Sequence, residues 1–251
     1  MIILITGATS GIGKATAIEF AKNGYDIIIT GRRADRLTDF SALLEETYKV
    51  KVLSLCFDIR NEQEVSAAIN SIPDQFSKID VLVNNAGLAA GLSSIQDGNS
   101  SHWEQMIDTN IKGFLYITKA VSQIMIKQQS GHIINIGSIA GKEVYANGNV
   151  YCATKHAVDA LNKGMRIDLL PHHIKVTAIN PGMVETEFSI VRFDGDAERA
   201  KKVYEHMTPL APEDIAETIF WVATRPKHVN INDLIIMPTV QANATTVVRK
   251  N

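Results

Sequence analysis

The sequence predicts an α/β fold: a parallel sheet with helices on both faces, in a single domain. Two observations carry this. Short runs that are apolar on both faces alternate with longer amphipathic stretches throughout the 251-residue chain. No composition shift, repeat or low-complexity stretch interrupts the alternation, so residues 1–251 read as one unit.

Ile2 to Thr6 is the first buried strand, and Ile12 to Asn23 a helix ended by Gly24. Asp26 to Thr30 is a β-branched second strand, followed by a charged helix over Arg33 to Tyr48. Val50 to Phe57 is the third strand, and Glu62 to Ile72 a helix closed by Pro73. Ile79 to Val83 is the fourth strand. The Gly-, Ser- and Asp-rich stretch Gly91 to Ser101 is a loop, and Trp103 to Gln128 one long helix. His132 to Ile136 is the fifth strand, followed by a helix from Val150 to Leu170 stopped by Pro171. Ile174 to Ile179 is the sixth strand, and Met183 to Gly195 is irregular. Two helices near Ala197 to Met207 and Pro212 to Thr224 precede a seventh strand at Leu234 to Met237.

Composition narrows the function. The chain is 45% hydrophobic and 21% charged with a formal net charge of −2, which offers no electrostatic footprint for nucleic acid or an anionic membrane. No stretch is apolar enough to span a bilayer, and Met1 leads straight into the first strand without a basic leader, so a cytoplasmic location is expected. Cys56 and Cys152 lie far apart and read as free thiols. The histidines have no ligand spacing, so no metal is expected.

The first strand runs into Thr6-Gly7-Ala8-Thr9-Ser10-Gly11-Ile12-Gly13 and then a helix. Such a turn lets backbone approach a pyrophosphate, and the helix start supplies free N–H groups and a favourable dipole. Its spacing departs from Gly-x-Gly-x-x-Gly, and a tight turn without a ligand is the alternative. The second strand ends in Thr30-Gly31-Arg32-Arg33. An acidic residue here would accept from the ribose 2′-hydroxyl of NAD, whereas two guanidiniums suit the 2′-phosphate of NADP. The alternative is a solvated basic helix start.

Tyr151 and Lys155 lie at i and i+4 on one helical face, where an ammonium would stabilise phenolate and lower the tyrosine pKa. Alone this is an ordinary surface pair. Ser138 after the fifth strand, Asn84-Asn85-Ala86-Gly87 after the fourth and Asn180-Pro181-Gly182 after the sixth all fall at the carboxyl edge of a parallel sheet, where ligands bind. Asn110 falls inside the long helix.

Together, in order and over nearly the whole chain, these segments resemble the short-chain dehydrogenase/reductases. The resemblance implies a Rossmann-type doubly wound sheet of seven strands and a nicotinamide cofactor. It makes Tyr151 the acid/base, Ser138 a hydrogen-bond partner of the substrate oxygen, and Lys155 the residue that holds the nicotinamide ribose and depresses the Tyr151 pKa. Asn110 would anchor a water linking Lys155 to solvent. Gly7, Thr9, Ser10, Gly11, Ile12, Gly13, Arg32, Arg33, Asp58, Ile59, Asn84, Ala86, Gly87, Pro181, Gly182, Val184 and Thr186 would bind cofactor, Asp58 through the adenine amino group and Thr186 through the carboxamide. Residues 183–210 would form the substrate lid, and the two long helices a homotetramer.

Within the family the chain is most similar to the NADP-dependent serine and 3-hydroxy acid dehydrogenases. The carrying segments are Asn84 to Ala89, Met106 to Asn110, Gly131 to Ser138, Gly148 to Tyr151, Thr186 to Ser189 with Val191 to Phe193, and His228 to Asn232. This implies oxidation of a small β-hydroxy acid of the L-serine, L-allo-threonine or 3-hydroxypropionate type. A carboxylate substrate needs a cation. Arg192 in the lid region could clamp it in a bidentate pair or could be a solvated loop arginine, and Lys142 is a second candidate. One competing reading is a reductase of 3-oxoacyl groups, which usually carries a Gly-Gly pair where this chain has Ile235 to Val240. Another is a non-catalytic NADP-binding protein, against which stands the presence of all four catalytic positions.

Overall fold

The strand residues are β-branched and leucine-rich on both faces because both faces are covered. The structure, a computed structural model, describes residues 1–250. Its strands are β1 (Ile2–Ile5), β2 (Asp26–Gly31), β3 (Val52–Cys56), β4 (Val81–Asn84), β5 (Gly131–Ile136), β6 (Ile174–Pro181) and β7 (Asp233–Ile236). They pair in parallel, in the order β3-β2-β1-β4-β5-β6-β7. The order of strand addition reverses between β1 and β4, leaving a crevice at their carboxyl ends.

Alternate side chains feed two separate cores. On one face Ile3, Ile5, Ile27 and Ile29 pack with helices α1 (Gly11–Lys22), α2 (Ala34–Tyr48) and the last helix, Pro212–Ala223, through Phe20, Leu37, Ile215 and Ile219. On the other, Leu4, Ile28, Leu82 and Ile133 pack with α3 (Glu62–Asn70) and α5 (Phe114–Gln128) through Val65, Ile117 and Val121. Each such side chain is worth about 1.5–3 kcal/mol relative to exposure. Local chemistry sets the boundaries. Gly24 at φ +75° ends α1, and Asn61 caps α3 by accepting from the Gln63 and Glu64 N–H groups.

The long helix expected over Trp103 to Gln128 is interrupted. It is α4 (Ser100–Ile107), then a wide π-type turn over Asp108–Gly113, then α5. The expected loop Gly91 to Ser101 contains a single 3₁₀ turn at Ile95–Asp97. α6 spans Asn149–Asp168, ending before Pro171. The irregular stretch Met183 to Gly195 contains a short helix, α7 (Phe188–Arg192), and the next helix, α8, stops at Lys202 instead of Met207 (Ala197–Lys202). The helix Pro212–Ala223 is α9. After β7 the chain returns to the cleft. Gln241 is buried and accepts from the Met183 N–H at 2.8 Å, and Arg249 donates to the carbonyls of Val203 and Glu205.

Candidate active site

The carboxyl edge of the sheet opens into a cleft of about 530 Å³. One end is built by the glycine turn. Thr6 fixes it from below, its Oγ1 donating to the Val83 carbonyl and accepting from the Asn85 and Ala86 N–H groups. Asn85 closes the clamp through Nδ2 to the carbonyls of Thr6 and Gly7. Gly7 and Gly11 have φ of +66° and +52°, and a Cβ would come within 3.0 Å of Ala86 Cα at the first and 3.2 Å of Thr186 Cβ at the second. Gly7, Thr9, Ser10, Gly11 and Ile12 line the cleft. Gly13 does not; a Cβ there would lie 2.5 Å from the Gly7 carbonyl oxygen, so this glycine lets α1 close on the turn. The start of α1 has neither a side-chain cap from Ser10 nor an acidic residue in its first turn. Its N–H groups and dipole are therefore available to an anion.

Arg32 and Arg33 line the cleft at the end of β2. Arg33 Nη2 donates to Thr9 Oγ1 at 2.7 Å and to Ser10 Oγ at 3.2 Å. Asp58 and Ile59 form the wall after β3, with Asp58 gripped by Arg60 and 3.9 Å from Arg32. The hydrogen bond from Arg60 holds the Asp58 carboxyl below its ordinary pKa, so an amino donor would share this carboxylate with a guanidinium. Hydroxyls, free helix N–H groups and guanidiniums form a donor set that fits a phosphorylated dinucleotide.

Tyr151 and Lys155 stand at the other end of the cleft on α6, facing Ser138 at the end of β5. Ser138 Oγ accepts from the Ala140 N–H at 3.1 Å. Lys155 Nζ donates to the Ile136 carbonyl at 2.9 Å and lies 6.0 Å from the Tyr151 ring centroid. Burial lowers the lysine pKa to about 8. The expected lowering of the Tyr151 pKa by Lys155 is corrected here. Burial pushes the phenol well up, aided by Tyr145, and the groups acting downward are Arg192 and Ser138.

Two expected residues lie behind the cleft wall. Asn84 does not face the cleft: its Nδ2 donates to Thr118 Oγ1 and Asn135 Oδ1 inside the core, both at 2.9 Å, while its neighbours Ala86 and Gly87 line the site. Asn110 sits in the π-type turn and pairs with both backbone groups of Leu88, at 2.9 and 2.8 Å, and with Thr154 Oγ1 at 3.1 Å. Only Gly87 separates it from the lysine; a Cβ there would be 3.3 Å from Asn110 Oδ1 and 3.6 Å from Lys155 Nζ.

Pro181, Gly182, Val184 and Thr186 continue the wall from β6 into the segment that covers the cleft. Arg192 at the end of α7 enters the site. It donates to the Tyr145 hydroxyl, its guanidinium carbon lies 5.1 Å from the Tyr151 ring centroid, and its Nε is buried without a partner. Lys142 does not reach the cleft; it is paired with Asp159 and Asp233 at the junction of α6 and β7. Sequence reading did not single out Asn85, Glu187, Phe188 or Gln241, which also line the cleft. They come from loops with no periodicity; the Asn84-Asn85 doublet and the Thr186 to Ser189 segment carried a signal without assigning these residues a role, and Gln241 carried none.

A doubly wound parallel sheet with an anion-binding first turn at one end of its cleft and a Ser-Tyr-Lys group at the other defines an oxidoreductase of the dinucleotide-binding class. Residues 1–196 match the family model for short chain dehydrogenase. The chain belongs to that family. It is 49% identical to the NADP-dependent 3-hydroxy acid dehydrogenase YdfG of Salmonella typhi, over 97% of both chains. The NADP-dependent 3-hydroxy acid dehydrogenase of Schizosaccharomyces pombe is 43% identical, over 99% of this chain and 96% of that one. A solved structure described as the closed form of serine dehydrogenase complexed with NADP+ covers both chains fully, with a TM-score of 0.93 and 44% identity. No helix among the described residues is long and apolar enough to cross a membrane, and no cluster of ligating side chains among them could hold a metal ion.

Proposed function

We propose that this chain is an NADP-dependent dehydrogenase of small 3-hydroxy acids, acting on the β-hydroxyl carbon. The observation that carries it is Arg192: a guanidinium with a buried, unpartnered Nε, held over the Tyr151 ring at the reactive end of the cleft. A carboxylate would satisfy that donor in a charge-assisted pair and place the β-hydroxyl near Tyr151 and Ser138. At the opposite end Thr9, Ser10, Arg32 and Arg33 would hold the adenosine phosphates of NADP. When bound, NADP supplies the nicotinamide that exchanges a hydride with the substrate carbon.

The remaining chemistry belongs to the protein. Tyr151 exchanges a proton with the substrate oxygen, and Ser138 hydrogen-bonds that oxygen. Burial keeps the free phenol protonated. Lys155 keeps positive charge beside the phenol at neutral pH and holds the nicotinamide ribose. Asn110, fixed to Leu88, anchors the water that links Lys155 to solvent. Residues 183–210 act as the lid over the acid. The partly exposed Ile107 and Leu115 on the α4–α5 face support pairing of the long helices into a homotetramer, and a cytoplasmic site of action completes this reading.

The test is NADPH formation with L-serine, L-allo-threonine, 3-hydroxypropionate and a secondary alcohol lacking a carboxylate. Turnover of the acids, lost on Arg192→Leu through a raised KM, is expected. Equal turnover of the neutral alcohol would overturn the acid specificity.

A further inference from the structure

Glu187 stands at the hinge between the two ends of the cleft. It precedes α7, and its carboxylate is shared by two guanidiniums. Arg33 Nη1 lies 3.2 Å from one oxygen, and Arg36 Nη1 lies 3.0 and 3.2 Å from the two. Arg33 also reaches back to Thr9 and Ser10, so one guanidinium joins the glycine turn to the covering segment. Burial alone would raise the Glu187 pKa, but the hydrogen bonds from Arg33 and Arg36 outweigh it and keep the group ionised. Five residues on, across the single turn of α7, Arg192 lies over Tyr151. A short helix thus connects a carboxylate on the phosphate-side arginines to the cation above the phenol.

We propose that Glu187 is a specificity and positioning residue: it competes with the 2′-phosphate of the cofactor for Arg33, and through Arg36 it sets the position of α7 and Arg192. This rests on the reading that the chain uses NADP. A phosphate drawn to Arg33 meets a carboxylate already on that guanidinium, and like charges sharing one cation oppose each other. NAD, with a hydroxyl at that position, escapes the opposition. Arg36 relieves it by offering Glu187 a second cation, so the carboxylate can leave Arg33 and still hold the covering segment. The groups are about half exposed, so the effect is a few-fold and sensitive to salt.

The test is direct titration of NADP and NAD into the wild-type chain, Glu187→Gln and Arg36→Met, at low and high salt, with the KM for 3-hydroxypropionate measured in parallel. Thermal melts of each variant confirm folding. Glu187→Gln is expected to bind NADP about 3- to 10-fold more tightly with NAD unchanged, the gain shrinking at high salt. Arg36→Met, which leaves the carboxylate wholly on Arg33, is expected to bind NADP more weakly. Both should raise the KM for the acid several-fold. Unchanged NADP affinity in Glu187→Gln, or equal tightening of NAD, overturns the proposal. A wild-type chain that does not prefer NADP overturns the cofactor reading itself, whatever the variants do.

Discussion

An ammonium in a protein core is costly, and Lys155 is nearly fully buried, with its Nζ on a backbone carbonyl. Burial takes its pKa from 10.5 to about 8. Between those values the unfolded chain holds the extra proton, so this group makes stability rise with pH; below pH 8 its whole cost, about 3 kcal/mol, is present. Lys155→Met is therefore expected to raise stability at pH 7 by up to about 3 kcal/mol in urea denaturation while lowering turnover at least ~100-fold. A less stable variant would show that the bond to Ile136 outweighs the burial. His132 acts in the same direction on the pH axis, in a lower window. Desolvation, with Lys175 nearby, lowers its pKa from 6.5 to about 3, and its Nε2 lies 2.8 Å from Thr177 Oγ1 between β5 and β6. The unfolded chain takes up this proton first, so stability falls as pH drops from 6.5 toward 3. His132→Gln should flatten that decline by about 1.4 kcal/mol per pH unit in the same denaturation series.

At the scale of elements, the informative feature is the wide turn at Asp108–Gly113. It places Asn110 against Leu88, and Gly113 fits there because a Cβ would lie 2.9 Å from the Ile59 carbonyl oxygen. Asn110→Ala leaves both Leu88 backbone groups buried and unpaired, an expected loss of about 2–4 kcal/mol in stability. Asn110→Asp keeps the acceptor for the Leu88 N–H but faces its carbonyl with a charge, so it is expected to be no better. Sequence periodicity could not reveal this turn, because Met106 and Ile107 before it and Phe114 after it stand at spacings of seven and eight that an unbroken helix would also give. The strands were legible because burial on both faces makes each run apolar throughout, as in Ile2–Ile5. The segment after Pro181 was illegible for the opposite reason. Its positions are set by contacts with Gly91, Gln241 and Arg33, all distant in sequence.

At the scale of the molecule, the switch between β1 and β4 gathers the ends of β1, β2, β4, β5 and β6 around one cleft. The glycine turn, the arginine pair and Tyr151 with Lys155 were readable because each follows a strand or opens a helix. Tyr145 and Glu187 were not, because their importance lies in partners distant in sequence, Arg192 for the first and Arg33 with Arg36 for the second. Arg33→Ala is expected to weaken NADP binding about 10-fold or more and leave NAD little changed. Equal loss of both would mean that Arg33 serves the glycine turn and not the phosphate. If the long helices pair as proposed, Leu115→Glu should shift the chain to smaller species in sedimentation at micromolar concentration, with the far-ultraviolet spectrum unchanged.

The cleft also divides by the place of its walls along the chain. The phosphate cradle, Ser138, Tyr151 and Lys155 all come from residues before Pro181, whereas the covering segment and the returning Gln241 and Ala244 come after it. A hybrid gene crossed over at Pro181 would exchange much of the acid-facing wall in one cut and leave the proton-handling residues in their original frame. Tyr145 and Arg33 are two of the stitches across that seam, through Arg192 and Glu187, beside Arg36 on Glu187 and the Gly91 N–H on the Arg192 carbonyl. Recombinants that bring matching partners for both should inherit the donor's substrate range, and those that mismatch either should fold yet bind loosely.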